Sequence, residues 1–178
     1  MSALDDSLRI FDAGNAERYA AELFRECFGA PFPVPREGCG LPIPTPAQNW
    51  RQYVAIYRWP DGREETVGFC NWIRHGDAYL AGGLCVDERF YRRLPRADFA
   101  ECRRRGGVAQ IILEVSRRAL TDAKALFGYV GDSRSMAVSL RCGYQRTEHP
   151  HLIVNWVQDP GAEEKAHLIR TVAAIGPF

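Results

Sequence analysis

Arg104-Arg105-Gly106-Gly107-Val108-Ala109 is the stretch on which the reading of this 178-residue chain turns. Two adjacent glycines stand ahead of Val108, Ile111, Ile112, Val115 and Ala119, whose spacing predicts a helix with one face toward a core. The stretch fits the pattern Arg/Gln-x-x-Gly-x-Gly/Ala. The first N–H groups of a helix lack intrahelical partners and carry the positive end of its dipole. Small residues let such backbone approach an anion closely, so a pyrophosphate can be cradled on main-chain donors. Arg103, Arg104 and Arg105 add positive charge on the same side. Taken alone, a short glycine motif fits a plain flexible turn equally well, and the flanking sequence has to decide.

Upstream, Leu8 to Phe11 reads as a short strand. Asn15 caps a helix in which Tyr19, Ala20, Leu23, Phe24, Cys27 and Phe28 form a buried stripe that Gly29 ends. Residues 30–48 carry Pro31, Pro33, Pro35, Pro42, Pro44 and Pro46, which exclude a regular helix and leave a long loop suited to bordering a site. A meander of three strands follows, 51–58, 66–74 and 78–86, turning at Trp59-Pro60-Asp61-Gly62 and His75-Gly76-Asp77. The middle strand is expected to place Val67, Phe69, Asn71 and Ile73 on one face and Cys70 and Trp72 on the other. Apolar residues on both faces call for a sheet covered on both sides. Residues 87–103 read as an irregular, arginine-rich insertion, and the helix of the opening motif starts near Arg104.

Downstream, 125–130 is a short apolar strand. Asp132 caps a helix carrying Met136, Ala137 and Leu140 that Gly143 terminates. Residues 144–148 and 151–157 form a hairpin across Pro150, and 161–175 a peripheral helix. The order βα, loop, βββ, α, β, α, ββ predicts an α/β chain in which one mixed sheet has helices on both faces, as a single domain over 1–178.

With these elements in order, the chain resembles the GNAT superfamily of N-acyltransferases from about Thr66 to Val157. The resemblance rests on the strand ending Leu84-Cys85-Val86, the Arg104–Ala109 turn, the strand Leu126-Phe127-Gly128-Tyr129, and the helix running from Asp132 to Gly143-Tyr144. It implies that the strands ending at Val86 and beginning at Ala125 splay apart and hold acetyl-CoA, or another acyl-CoA, as co-substrate. The pantetheine arm would pair with Leu84, Cys85 and Val86 like an added strand. The pyrophosphate would sit on Arg104, Arg105, Gly106, Gly107, Val108 and Ala109, with Asp132 where the family often has Asn. The activity implied is transfer of an acetyl or other short acyl group to an amine, directly within a ternary complex. The insertion at 87–103 and the proline-rich loop depart from the family pattern. Ser139 stands where many members carry a tyrosine that protonates the leaving thiolate.

Direct transfer needs an uncharged amine, a group to take its proton and stabilisation of the oxyanion. Asp87 and Glu88, just past the strand that would contact the thioester, are the candidate bases, and Ser139 the residue at the acid position; Tyr79 and Asn71 also compete for the wedge. Asp87 and Glu88 equally suit surface pairing with nearby arginines. Cys85 lacks a partner base in sequence and reads as a small buried hydrophobe. His149 and His151 flank Pro150 without further ligands, so no metal is expected. A catalytically silent acyl-CoA-binding or protein-interaction module is the alternative.

Composition sets the outer bounds. The net charge of +1 gives no global pull toward nucleic acid or an anionic membrane. From Glu88 to Arg105 seven arginines face three acids, but no aromatic platform is interleaved as single-strand binding requires, and cofactor phosphates explain the charge more economically. Six cysteines without a CxxC pair, no signal-like N-terminus and no apolar run near the ~20 residues of a membrane span lead to the expectation of a cytoplasmic protein with reduced thiols. Oligomeric state stays open, a homodimer among the options.

Overall fold

A computed structural model describes residues 3–32 and 49–178. The strands are β1 (Leu8–Asp12), β2 (Trp50–Arg58), β3 (Glu64–His75), β4 (Ala78–Val86), β5 (Ala125–Tyr129), β6 (Gln145–Arg146) and β7 (Leu152–Trp156). They form one seven-stranded sheet in the order β1-β2-β3-β4-β5-β7-β6. Neighbours are antiparallel except β4 and β5, which run parallel. A parallel pair needs a crossover connection; here it carries α3 (Phe90–Arg93), α4 (Arg96–Arg104) and α5 (Val108–Ala119). The other helices are α1 (Ala3–Ser7), α2 (Glu17–Phe28), α6 (Ser133–Arg141) and α7 (Ala162–Ala173).

Alternation along β2 divides the core. Tyr53, Ala55 and Tyr57 pack toward Val108, Ile111 and Ile112 of α5 and Met136 of α6. Val54 and Ile56 meet Ala20, Leu23 and Phe24 of α2. Further along the α2 face, Val172 of α7 covers Ala78, Leu80, Phe127 and Val154. The sheet is therefore mixed, with helices on both sides, as the element order predicts.

Several local expectations are corrected. Val67 packs with Cys70 and Trp72 rather than with Phe69, because β3 shifts register between Gly68, opposite Ala55, and Thr66, opposite Ile56. That bulge leaves Val67 unpaired and turns it to the other face. Residues 87–103 are largely helical, and α5 starts at Val108, not near Arg104, which ends α4. The insertion is anchored: Phe90 stacks on Tyr57 and Trp59 at 5.1 and 6.0 Å, and buried Asp98 accepts the Tyr57 hydroxyl. Cys27 and Phe28 are exposed rather than core, and α1 buries Leu4 without having been expected. Asn15 accepts from the Glu17 N–H at 3.0 Å, although Ala16 is the cap residue. Most of the proline-rich loop, residues 33–48 with Cys39, lies outside the described residues.

Candidate active site

Gly82 and Gly83 shape the centre of the sheet. Asn71 pairs with Gly83 and Trp72 with Ala81, so Gly82 is an extra residue in β4. A bulge of this kind bends its strand. A side chain at Gly82 would force Asn71 and Ile73 to shift, since a Cβ would lie 2.9 Å from Asn71 Nδ2 and 3.0 Å from Ile73 Cδ1. β4 and β5 share a ladder only from Ala78–Leu80 to Ala125–Phe127. Beyond it a cavity of about 460 Å³ opens between Ala81, Gly82 and Gly83 on one side and Gly128, Tyr129 and Val130 on the other. It shares Phe28, Leu84, Asp132 and Ser135 with a larger cleft of about 960 Å³ that runs toward the start of α5. Together they make a continuous path from the splayed strands to a helix N-terminus.

The turn ahead of α5 uses both glycines. Gly106 and Gly107 have φ of +81° and +92°, a region that side chains strain to enter. The Gly107 N–H donates to Cys102 O at 2.9 Å, and the Val108 N–H donates to Tyr91 Oη at 3.0 Å. In the first turn, the N–H groups of Ala109 and Gln110 have no intrahelical acceptor. Ala109 and Gly106 line the cleft, with Arg134, Val138 and Arg141 of α6 opposite. Extended backbone at Leu84, Cys85 and Val86, an amide-bearing helix start and arginine-bearing walls suit a long ligand with a phosphate end.

The fold brings Leu84, Cys85, Val86, Asp87, Glu88, Gly106, Ala109 and Asp132 into that cleft wall. Gly107 and Val108 do not line it. Arg104 and Arg105 do not line it: Arg104 is held by Glu101 at 2.6 and 2.8 Å, and Arg105 by Asp5 at 2.7 Å. Ser139 lines the smaller cavity, where Tyr144 and Cys70 are also found.

Electrostatics sort the candidate groups. Asp87 is buried, and its carboxylate accepts from the Arg89 N–H and Nε at 3.0 and 2.9 Å and from Arg93 Nη2 at 3.1 Å. Glu88 is exposed and paired with Arg134. Asp132 caps α6 by accepting the Ser135 N–H at 2.8 Å, and that bond holds its carboxyl below the usual range. Burial pushes the Cys85 thiol well up. Tyr79 donates to Asp122 at 3.2 Å, whereas the amide of fully buried Asn71 has no partner among the described residues. His151 shares a hydrogen bond with Val130 O at 3.0 Å.

Sequence reasoning missed Cys27, Phe28, Tyr91 and the α6 arginines as cleft residues. Cys27 and Phe28 continue the helical stripe of α2 but line the cleft instead of the core. Tyr91 carries no signal in its own segment. The adjacent glycines inside a strand pattern were a legible sign of the bulge.

No protein-family model matches the chain, and no curated protein matches it in sequence. Solved structures do match. The ribosomal-protein-S18-alanine N-acetyltransferase from Escherichia coli aligns over 87% of this chain and 97% of its own, at 12% identity and a TM-score of 0.57. An aminoglycoside 6'-N-acetyltransferase complexed with coenzyme A aligns over 86% and 98%, at 10% identity and 0.55. The putative N-acetyltransferase YhhK from E. coli, bound to coenzyme A, aligns over 84% and 98%, at 15% identity and 0.53. At these identities the likeness establishes a shared fold.

Proposed function

We propose, from the premise that this chain has the GNAT acetyltransferase fold, that it transfers an acetyl or other short acyl group from CoA to an amine. One observation carries this reading: the path that begins between the splayed strands β4 and β5 ends at a glycine-opened helix start. Its lining, extended strand backbone at one end and free helix N–H groups at the other, suits a pantetheine arm and a pyrophosphate. Leu84 to Val86 would hold the arm, and Gly106, Ala109 and the free first-turn N–H groups the phosphates. Arg141, whose described partner is the uncharged Gln110, would add charge from α6, whereas the charge of Arg134 is answered by Glu88. When bound, the thioester supplies an already activated acyl group, so the chain's task is to position an uncharged amine against it and exclude water.

The chain's own groups favour direct transfer. Cys85 keeps its proton because burial disfavours the thiolate. Asp87 is occupied by two arginines and Glu88 by one, which supports a structural role for both. Those same pairings, with Ser139 at the acid position, support the second reading, a silent acyl-CoA-binding module.

Incubation with acetyl-CoA and a panel of primary amines tests the proposal, following thiol release and acetylated product. Amine-dependent release of CoA is expected. Tight binding without turnover of any amine would leave the silent module. Absence of acyl-CoA binding at millimolar ligand would overturn both.

A further inference from the structure

The phosphate end of the cleft contains a group that the glycine pattern does not predict. Tyr91 belongs to α3, inside the inserted segment between β4 and α5. Its ring packs on Phe90, with centroids 5.6 Å apart, and its hydroxyl lies 3.0 Å from the Val108 nitrogen. There the phenol oxygen is the acceptor and Val108 the donor. A phenol has one proton to give besides the lone pairs it offers. Among the described residues no hydrogen bond uses that proton, and Tyr91 lines the same cleft wall as Gly106 and Ala109.

Burial pushes the phenol pKa upward, so the proton is retained at neutral pH. The fit to the turn is close. A Cβ at Gly107 would sit 3.1 Å from Tyr91 Oη, tighter than an ordinary contact, so the hydroxyl packs directly against the glycine.

We propose that Tyr91 is a diphosphate ligand of this site: its hydroxyl accepts the Val108 N–H and donates its own proton to a phosphate oxygen. The inserted segment thereby supplies one donor of the phosphate cradle and extends the helix N-terminus by one hydrogen bond. Ala109 and Gln110 offer their N–H groups directly beside it. This inference rests on the acyl-CoA reading above and adds to it a residue and a role. A phenol polarised by an amide donor is a better donor itself, since linked hydrogen bonds strengthen one another.

The test compares Tyr91→Phe with the unaltered protein, using CoA in calorimetric titration and S-acetylpantetheine, which has no diphosphate, as acyl donor in turnover. Loss of a hydrogen bond to a charged phosphate should weaken CoA by about tenfold or more. The KM for S-acetylpantetheine should stay within about twofold of the unaltered value, because that donor has no diphosphate for the phenol to contact. A purely structural role would weaken both donors together. Equal CoA affinity in the two proteins would overturn the inference while leaving the acyl-CoA reading intact. Tighter binding by Tyr91→Phe would also overturn it, since the phenol would then be competing with phosphate for the Val108 N–H. Failure of the unaltered protein to bind CoA would overturn both.

If Tyr91→Phe does not fold, amide shifts of the labelled, unaltered protein on CoA addition decide. The inference predicts larger shifts at Ala109 and Gln110 than at Val108, whose N–H keeps its phenol acceptor. A Val108 shift exceeding both would contradict it.

Discussion

Replacing Gly107 by Ala should uncouple cofactor binding from overall folding. Gly107 has φ of +92° and ψ of 169°, a region entered almost only by glycine, and an alanine held there costs about 1–3 kcal/mol of stability. The new Cβ would also meet Tyr91 Oη at 3.1 Å, tighter than an ordinary contact. Either the phenol moves off the Val108 N–H or the turn shifts, and both disturb the donors presented to phosphate. Loss of one hydrogen bond to a charged group is worth about 1.5–3 kcal/mol, or roughly ten- to a hundredfold in Kd for acetyl-CoA. Gly161→Ala is the control. Gly161 has φ of −61°, no atom lies within 4 Å of its added Cβ, and the change at a helix cap should cost less than about 1 kcal/mol of stability. Calorimetric Kd and denaturant unfolding are measured on both variants. An acetyl-CoA Kd for Gly107→Ala equal to that of Gly161→Ala would refute the reasoning.

Three further outcomes follow from the same geometry. Asp132→Asn retains an α6 cap, so stability at neutral pH should change by less than about 1 kcal/mol. The native carboxyl titrates below its unfolded value, so its extra stabilisation is present above about pH 4 and is lost as pH falls through the lowered pKa; the variant should lack that loss when melting midpoints are compared from pH 6 to pH 2. Cys85→Ser should retain most turnover, with no acetyl group on the native Cys85 by mass spectrometry after mixing with acetyl-CoA alone; a trapped acetyl-Cys85 together with an inactive variant would establish a covalent route. Asp87→Asn should lower folding stability by about 1–3 kcal/mol, since Arg89 and Arg93 lose their shared buried partner, while kcat stays within about tenfold. A hundredfold fall in kcat at unchanged stability would make Asp87 the base.

Legibility in the sequence tracked the periodicity of burial. β4 was read to its observed limits, and α6 was found through its aspartate cap, because each is local chemistry written in consecutive residues. α4 was missed because its buried positions are Asp98 and Cys102, not an apolar stripe; Asp98 is held by Tyr57 of β2, a partner 41 positions away. Val67 was placed on the wrong face because a strand's alternation says nothing of a bulge. At the site, the glycine turn and the strand ending at Val86 were readable as motifs. Pairing of Arg104 with Glu101 and of Arg105 with Asp5 was not, so charge that sequence assigned to phosphate is largely neutralised within the protein. The role of Tyr91 depends on a contact with Val108 across 17 positions, which no local pattern encodes.

A crystal structure of the protein with acetyl-CoA tests the central claim most directly. The account predicts pantetheine against Leu84 to Val86 in the gap between β4 and β5, and pyrophosphate oxygens within hydrogen-bond distance of the Ala109 and Gln110 nitrogens. Acetyl-CoA bound elsewhere on the molecule, with the β4–β5 gap empty at saturating ligand, would contradict it.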